Sequence, residues 1–158
     1  ILYSFFLSSF RKMNNQIRGH KFVDHPADIQ VHSWGQQFAE ALEEQALALF
    51  EIMFDVSKFK SEETRLVSIK ANNLLELTCE FLNEWLYVFD VEDFVLKKIK
   101  ITKCDLANFC VEAVGYGEAF DMSRHANFRG TEVKAITYGS LKVDEKPGKS
   151  ELFVLYDL

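Results

Sequence analysis

Residues 20–54 read HKFVDHPADIQVHSWGQQFAEALEEQALALFEIMF, and the change of period inside this stretch decides the fold class. His20 to Val23 predicts a short strand, and DHPAD a turn. In IQVHSWG, Ile29, Val31 and Ser33 alternate with Gln30, His32 and Trp34, which is the period of a strand with one face buried. Gly35 closes it. From there Phe38, Leu42, Ala46, Leu49, Phe50 and Met53 recur at helical spacing among Ala, Leu, Glu and Gln, all good helix formers.

The same two periods continue outward. TRLVSIK (64–70) predicts a strand, and Asn72 or Asn73 offers an N-cap to a helix LLELTCEFLNEWLYVF (74–89). Its apolar stripe is Leu74, Thr78, Phe81, Leu82, Trp85 and Phe89. The acidic exit DVED (90–93) opposes the helix dipole, and solvation is expected to offset it. FVLKKIKITKC and NFCVEAVGYGEAF form a hairpin across Asp105 to Asn108. EVKAITYGSLKV predicts a strand with Val133, Ala135 and Thr137 on one face and Lys134, Ile136 and Tyr138 on the other. EKPGKS is a turn, and ELFVLYDL is a last strand. The order β-β-α-β-α-β-β-β-β implies an α+β fold, two helices on a mainly antiparallel sheet.

At 158 residues, 48% hydrophobic and 27% charged, the chain fits one domain with a core of its own. Its 15 Phe predict an aromatic-rich core. The balance of 18 basic against 24 acidic residues gives a net charge of -6. That argues against direct strong nucleic-acid binding, which needs a basic face to displace counterions. ILYSFFLSSFRK (1–12) is apolar first and basic after, the reverse of a secretory signal, and too short to span a bilayer. We expect residues 1–12 to be a leader foreign to the domain, Met13 the natural start, and 13–158 a single domain. Cys79, Cys104 and Cys110 form no CxxC pair, so free buried thiols in a reducing compartment are expected. Cys104 and Cys110 flank a turn and could face each other across it.

Motifs for nucleophile elbows, P-loops and dinucleotide turns are absent from the sequence. GYGE (115–118) reads as a bulge or backbone crowding. Lys97, Lys98, Lys100 and Lys103 read as a solvated or edge-protecting row. RHANFRGTEVK reads as a loop whose Arg124, His125, Arg129 and Lys134 could contact an anion or an acidic partner. Asp24 suits an Asx-type turn, and His25 is extended because it precedes Pro26. Asp28 opens a strand, Asp157 is penultimate, and Leu158 carries the terminal carboxylate. If these ends meet, three oxygen donors converge, as hard divalent cations require. Spacing alone does not show that they meet.

DHPADIQVHSWG, FLNEWLYVFD, GYGE and GTEVKAITYGSLKV, with a chain ending in YDL, resemble the archease family from Lys21 to Leu158. The resemblance implies an accessory protein and not an enzyme: a partner of the RtcB-type tRNA-splicing ligase that promotes its guanylylation and repeated turnover. A DEAD-box helicase is a further implied member of the ligase complex. The resemblance also implies a divalent cation, Ca²⁺ first and Mg²⁺ or Mn²⁺ as alternatives, on Asp28, Asp157 and Leu158. Lys134, with Glu132 and His25, is implied to serve the partner. The family's usual threonine is replaced by Pro26, and Gly139 stands where a histidine or serine is usual. No membrane association is expected, and the implied location is cytoplasmic, with nuclear entry left open. Two other readings stay open: a metal-dependent hydrolase on the same aspartates, with His25 or His32 as base, and a general chaperone or RNA-modification adaptor.

Overall fold

The computed structural model describes residues 17–24 and 27–158. The expectations for residues 1–12, Met13, His25 and Pro26 therefore lie outside the described residues. In the first sheet, β1 (Gly19–Asp24) pairs with β2 (Asp28–Gly35). Along β2 the predicted alternation holds: Ile29, Val31 and Ser33 are buried, while Asp28, Gln30, His32 and Trp34 are half-buried on the other face. Helix α1 (Phe38–Met53) buries all six residues of its predicted stripe. β3 (Glu63–Lys70) leads into α2 (Leu74–Glu92). Asn73 is the N-cap: its Oδ1 accepts from the Glu76 amide at 2.9 Å, and the Glu76 carboxylate accepts from the Asn72 amide at 3.3 Å. One of the helix's orphan donors, the Glu76 amide, is thus satisfied, and the second bond ties down the residue before the cap. At its other end Glu92 does not rely on solvation, since Arg65 of β3 meets it at 3.1 Å.

Next come β4 (Phe94–Asp105), β5 (Cys110–Ala119), a one-turn helix α3 (Met122–His125), β6 (Ala135–Lys146) and β7 (Lys149–Asp157). Two wholly antiparallel sheets result, ordered β1-β2-β7-β6 and β3-β5-β4. Helix α1 packs on β2 and β7 of one sheet and β4 of the other, and α2 packs on β6 and on the three-stranded sheet. The α+β expectation is borne out, with two sheets where one was expected. Phe38, Phe50, Phe59, Phe81, Trp85, Phe94 and Tyr156 are all but fully buried, so the core is aromatic as composition suggested.

Gln45 joins α1 to the first sheet: its Nε2 donates to Val31 O at 2.9 Å and Leu152 O at 3.3 Å, and its Oε1 accepts from the Tyr156 hydroxyl at 2.8 Å. The glycines of GYGE are sites of crowding, as read. A Cβ on Gly115 would lie 2.4 Å from the Trp85 ring, and one on Gly117 would lie 1.9 Å from the Val95 carbonyl oxygen. The bulge falls on the partner strand, where Lys97 is left out of register between Leu96 and Lys98. Lys97 therefore leaves the predicted lysine row, and its Nζ donates to Phe59 O at 2.5 Å.

The alternation read for β6 fails after Thr137. Thr137 faces Leu155 and Lys142 faces Phe153, so Tyr138, Gly139, Ser140 and Leu141 stand opposite the single residue Val154. Val133 is buried just before the strand begins at Ala135. Cys104 pairs with Val111 and Cys110 with Asp105, one step apart in register, so adjacent pleats send the two thiols to opposite faces. The expectation that they face each other is overturned.

Candidate functional site

β7 returns to lie between β2 and β6, and this brings the two ends of the sequence together. Asp28 opens β2 directly opposite Asp157 at the end of β7, and Ala135 at the start of β6 faces Asp157 from the other side. The Lys134 amide donates to Asp157 O at 2.8 Å. Asp28, Asp157, Leu158 and Lys134 thus share one end of the four-stranded sheet. The Asp28 and Asp157 side chains point to the same, outer face and are half-buried.

Two like charges directly opposite in an antiparallel pair repel. Among the described residues neither Asp28 nor Asp157 has an ion-pair partner. Such a pair of oxygen donors fits a hard divalent cation, with a main-chain oxygen of Leu158 adjacent. Among the described residues, no group of three or more His, Cys, Asp or Glu could hold a metal, so two aspartates alone do not complete a site. Lys134 and Glu132 are exposed beside them.

His32 is not at this end. It lies four residues further along β2, about 13 Å at normal strand rise. Its ring stacks on Phe153 at 4.3 Å and its Nε2 meets Glu151 at 3.0 Å. Burial lowers its pKa, against the opposing pull of Glu151. As a base for the aspartate pair it is out of reach. The predicted anion-contacting loop is likewise committed internally. RHANF is helical, in α3 and a following 3-10 turn (Ala126–Phe128). His125 is buried against Phe59, with Nε2 at 2.6 Å from Glu118 and Nδ1 accepting from the Asp121 amide at 2.9 Å. Arg124 pairs with Glu118 and Asp121, and the Arg129 guanidinium lies over the Phe120 ring. Of the four cations read there, Lys134 alone has no side-chain partner among the described residues.

A second polar cluster was not singled out in the sequence. His20 on β1 bonds through Nδ1 to Glu44 at 2.7 Å and through Nε2 to Glu51 at 2.8 Å. Burial alone would lower its pKa, but the two carboxylates outweigh that and push it up to about 9. Arg18 pairs with Glu43 and Glu44, and the buried Glu43 also accepts from the Ile101 amide of β4 at 2.7 Å. The signal was there as EE and E at 43, 44 and 51, on the helix face turned toward β1. It reads as an ordinary solvated face until the strand's position is known.

Residues 20–158 match the family model described as Archease protein family. The chain belongs to the archease family. An archease-like protein of Dictyostelium discoideum is 34% identical over 146 residues, covering 90% of this chain and 95% of that protein. The solution structure of Methanobacterium thermoautotrophicum protein 1598 is 30% identical, with a TM-score of 0.76, over 89% of this chain and 99% of that one. A crystal structure of an archease, possible chaperone, from Thermotoga maritima superposes with a TM-score of 0.59 at 19% identity, over 94% of this chain and 99% of that one. At that identity it speaks for the fold alone. No described helix is long and apolar enough to cross a membrane.

Proposed function

We propose that this archease is an accessory protein of an RtcB-type tRNA-splicing ligase, promoting guanylylation of the ligase and its repeated turnover. The observation that carries the reading is the register of Asp28 against Asp157 at one sheet end, with Lys134 bonded to the same strand end. The cation would be held by the two carboxylates and a main-chain oxygen of Leu158, a carboxylate where the chain ends there, and would supply fixed positive charge at an anionic tip. Ca²⁺ suits these hard donors, and Mg²⁺ or Mn²⁺ are the alternatives. The sheet register holds the two aspartates side by side. Lys134, exposed on a flexible stem, offers its ammonium to a phosphate or to a carboxylate of the ligase. Glu132, exposed near Lys134, is a further expected contact, and family resemblance adds His25. The DEAD-box helicase of the ligase complex is a further expected partner.

The test is a ligation assay with ligase in limiting amount, GTP and divalent cation. Adding this protein is expected to raise both guanylylated ligase and product beyond one turnover. Asp28→Ala, Lys134→Ala and deletion of Leu158 are each expected to reduce the stimulation tenfold or more while circular dichroism stays unchanged. Unchanged product yield on adding the protein, or full stimulation by all three variants, would refute the proposal.

A further inference from the structure

The three-stranded sheet packs the helices on one face only, and its other face carries an unusual set of side chains. In register across β3, β5 and β4 stand Leu66, Val114 and Lys100; one row away are Thr64, Tyr116 and Lys98; on the other side are Ser68, Glu112 and Lys103. Lys70 continues the row on β3. Leu66 is 79% exposed, more than any other large apolar residue described. Val114 and Tyr116 beside it are half-buried, so an apolar strip runs across the middle of the face. Lys70, Lys98, Lys100 and Lys103 are all exposed, and among the described residues none has an ion-pair partner. Glu112 is the only acid in these three rows, and the row of Lys70 adds Asp105, which interacts electrostatically with Lys103. On a chain of net charge -6 this is a local surplus of positive charge around an apolar centre, four lysines against two acids. Lysine at an edge can serve solubility alone. An aliphatic centre as exposed as Leu66 works against that purpose, and the two together describe a docking surface.

We propose that this face binds an acidic polypeptide segment that carries an aliphatic residue. Lysines 98 and 100 would meet its carboxylates, and its aliphatic side chain would cover Leu66 and Val114. The charge complementarity chooses an acidic occupant. Polypeptide is favoured over RNA for two reasons. The centre is mainly aliphatic, whereas single-stranded RNA is held by aromatic or guanidinium planes stacking on bases. The acidic chain as a whole also repels a phosphate backbone at long range. The proposal does not involve the Asp28–Asp157 end and stands or falls separately from the ligase reading.

The experiment uses the full chain, ¹⁵N-labelled, and three probes: a Glu/Asp peptide containing leucines, the same peptide with serine for leucine, and an oligouridylate. The leucine peptide is expected to shift amides of β3, β5 and β4 around Leu66, Val114 and Lys100. Its affinity should fall at least threefold from 50 to 200 mM salt. The serine peptide should bind at least fivefold more weakly. Lys98→Glu/Lys100→Glu should lose tenfold or more, Lys98→Gln/Lys100→Gln a smaller but clear fraction, and Leu66→Ser about fivefold; all three positions are exposed, so thermal melting should be retained. Shifts confined to other surfaces, equal binding by the charge-reversed variant, or tighter binding of oligouridylate than of the leucine peptide would each overturn the proposal.

Discussion

Raising the pH should destabilise this protein through His20 specifically. In the unfolded chain its imidazole titrates near 6.5, whereas in the fold it is held protonated up to about 9 by Glu44 and Glu51. A pKa raised on folding contributes stability that is fully present below the unfolded value and is lost as pH climbs through the folded one. The difference of about 2.5 units corresponds to about 3 kcal/mol at 1.36 kcal/mol per unit. That is a sizeable share of the roughly 5–15 kcal/mol that holds a domain together. On the acid side Glu44 is held below its ordinary value despite burial, by its hydrogen bonds to His20 and Arg18, so its contribution fades as pH falls below about 4.5. The cluster therefore stabilises most between about pH 4.5 and 6.5. Urea unfolding, followed by fluorescence of the buried Trp85, should be run at intervals from pH 6 to 9.5 on the native sequence and on His20→Gln. The native sequence should lose about 2–3 kcal/mol more than the variant over that range. Parallel pH profiles for the two, or an NMR titration of His20 centred near 6.5, would refute the reasoning.

Other predictions concern packing, a buried amide and the cation. Gly117→Ala should cost about 3 kcal/mol in urea unfolding, because its Cβ would overlap the Val95 carbonyl, which is backbone and cannot swing aside. Gly139→Ala, with open space around it, should stay within about 0.5 kcal/mol in the same measurement. Gln45→Leu should cost about 2–3 kcal/mol, since it strips partners from the Tyr156 hydroxyl and from two strand carbonyls. Ca²⁺ at about 100 times its dissociation constant should stabilise the native sequence by about 2.7 kcal/mol. Asp28→Ala should abolish that gain and Asp24→Ala should retain it, as calorimetric melting with and without chelator will report.

Local pattern was legible in the sequence and partnership across the chain was not. The period-two run at β2, the stripes of both long helices and the Asn73 cap follow from neighbours in sequence, and each lies where the pattern puts it. The pairing of β7 with β2 rests on contacts more than a hundred residues apart, which no local period encodes. The convergence of Asp28 and Asp157 could therefore be named only as a condition, or through family resemblance. Polar side chains were misread for the same reason. Glu43 and His125 carry the composition of solvated surface, yet both are buried, because Arg18 and the Ile101 amide come to Glu43, and the Phe59 ring to His125, from distant elements. The interruption of β6 was missed because TYGSL still alternates well enough to pass for regular strand.

That interruption bears on how the molecule behaves among its neighbours. β6 is an outer strand of its sheet, with hydrogen-bonding groups available to any extended chain that approaches. A flat, twelve-residue edge would be a template for end-to-end polymerisation. With Tyr138 to Leu141 set against the single residue Val154, the ladder is broken partway along, and an incoming strand finds only two short, misaligned halves. The irregular edge thus makes a poor colloidal seed, since a second copy of the chain would find no long regular ladder to extend.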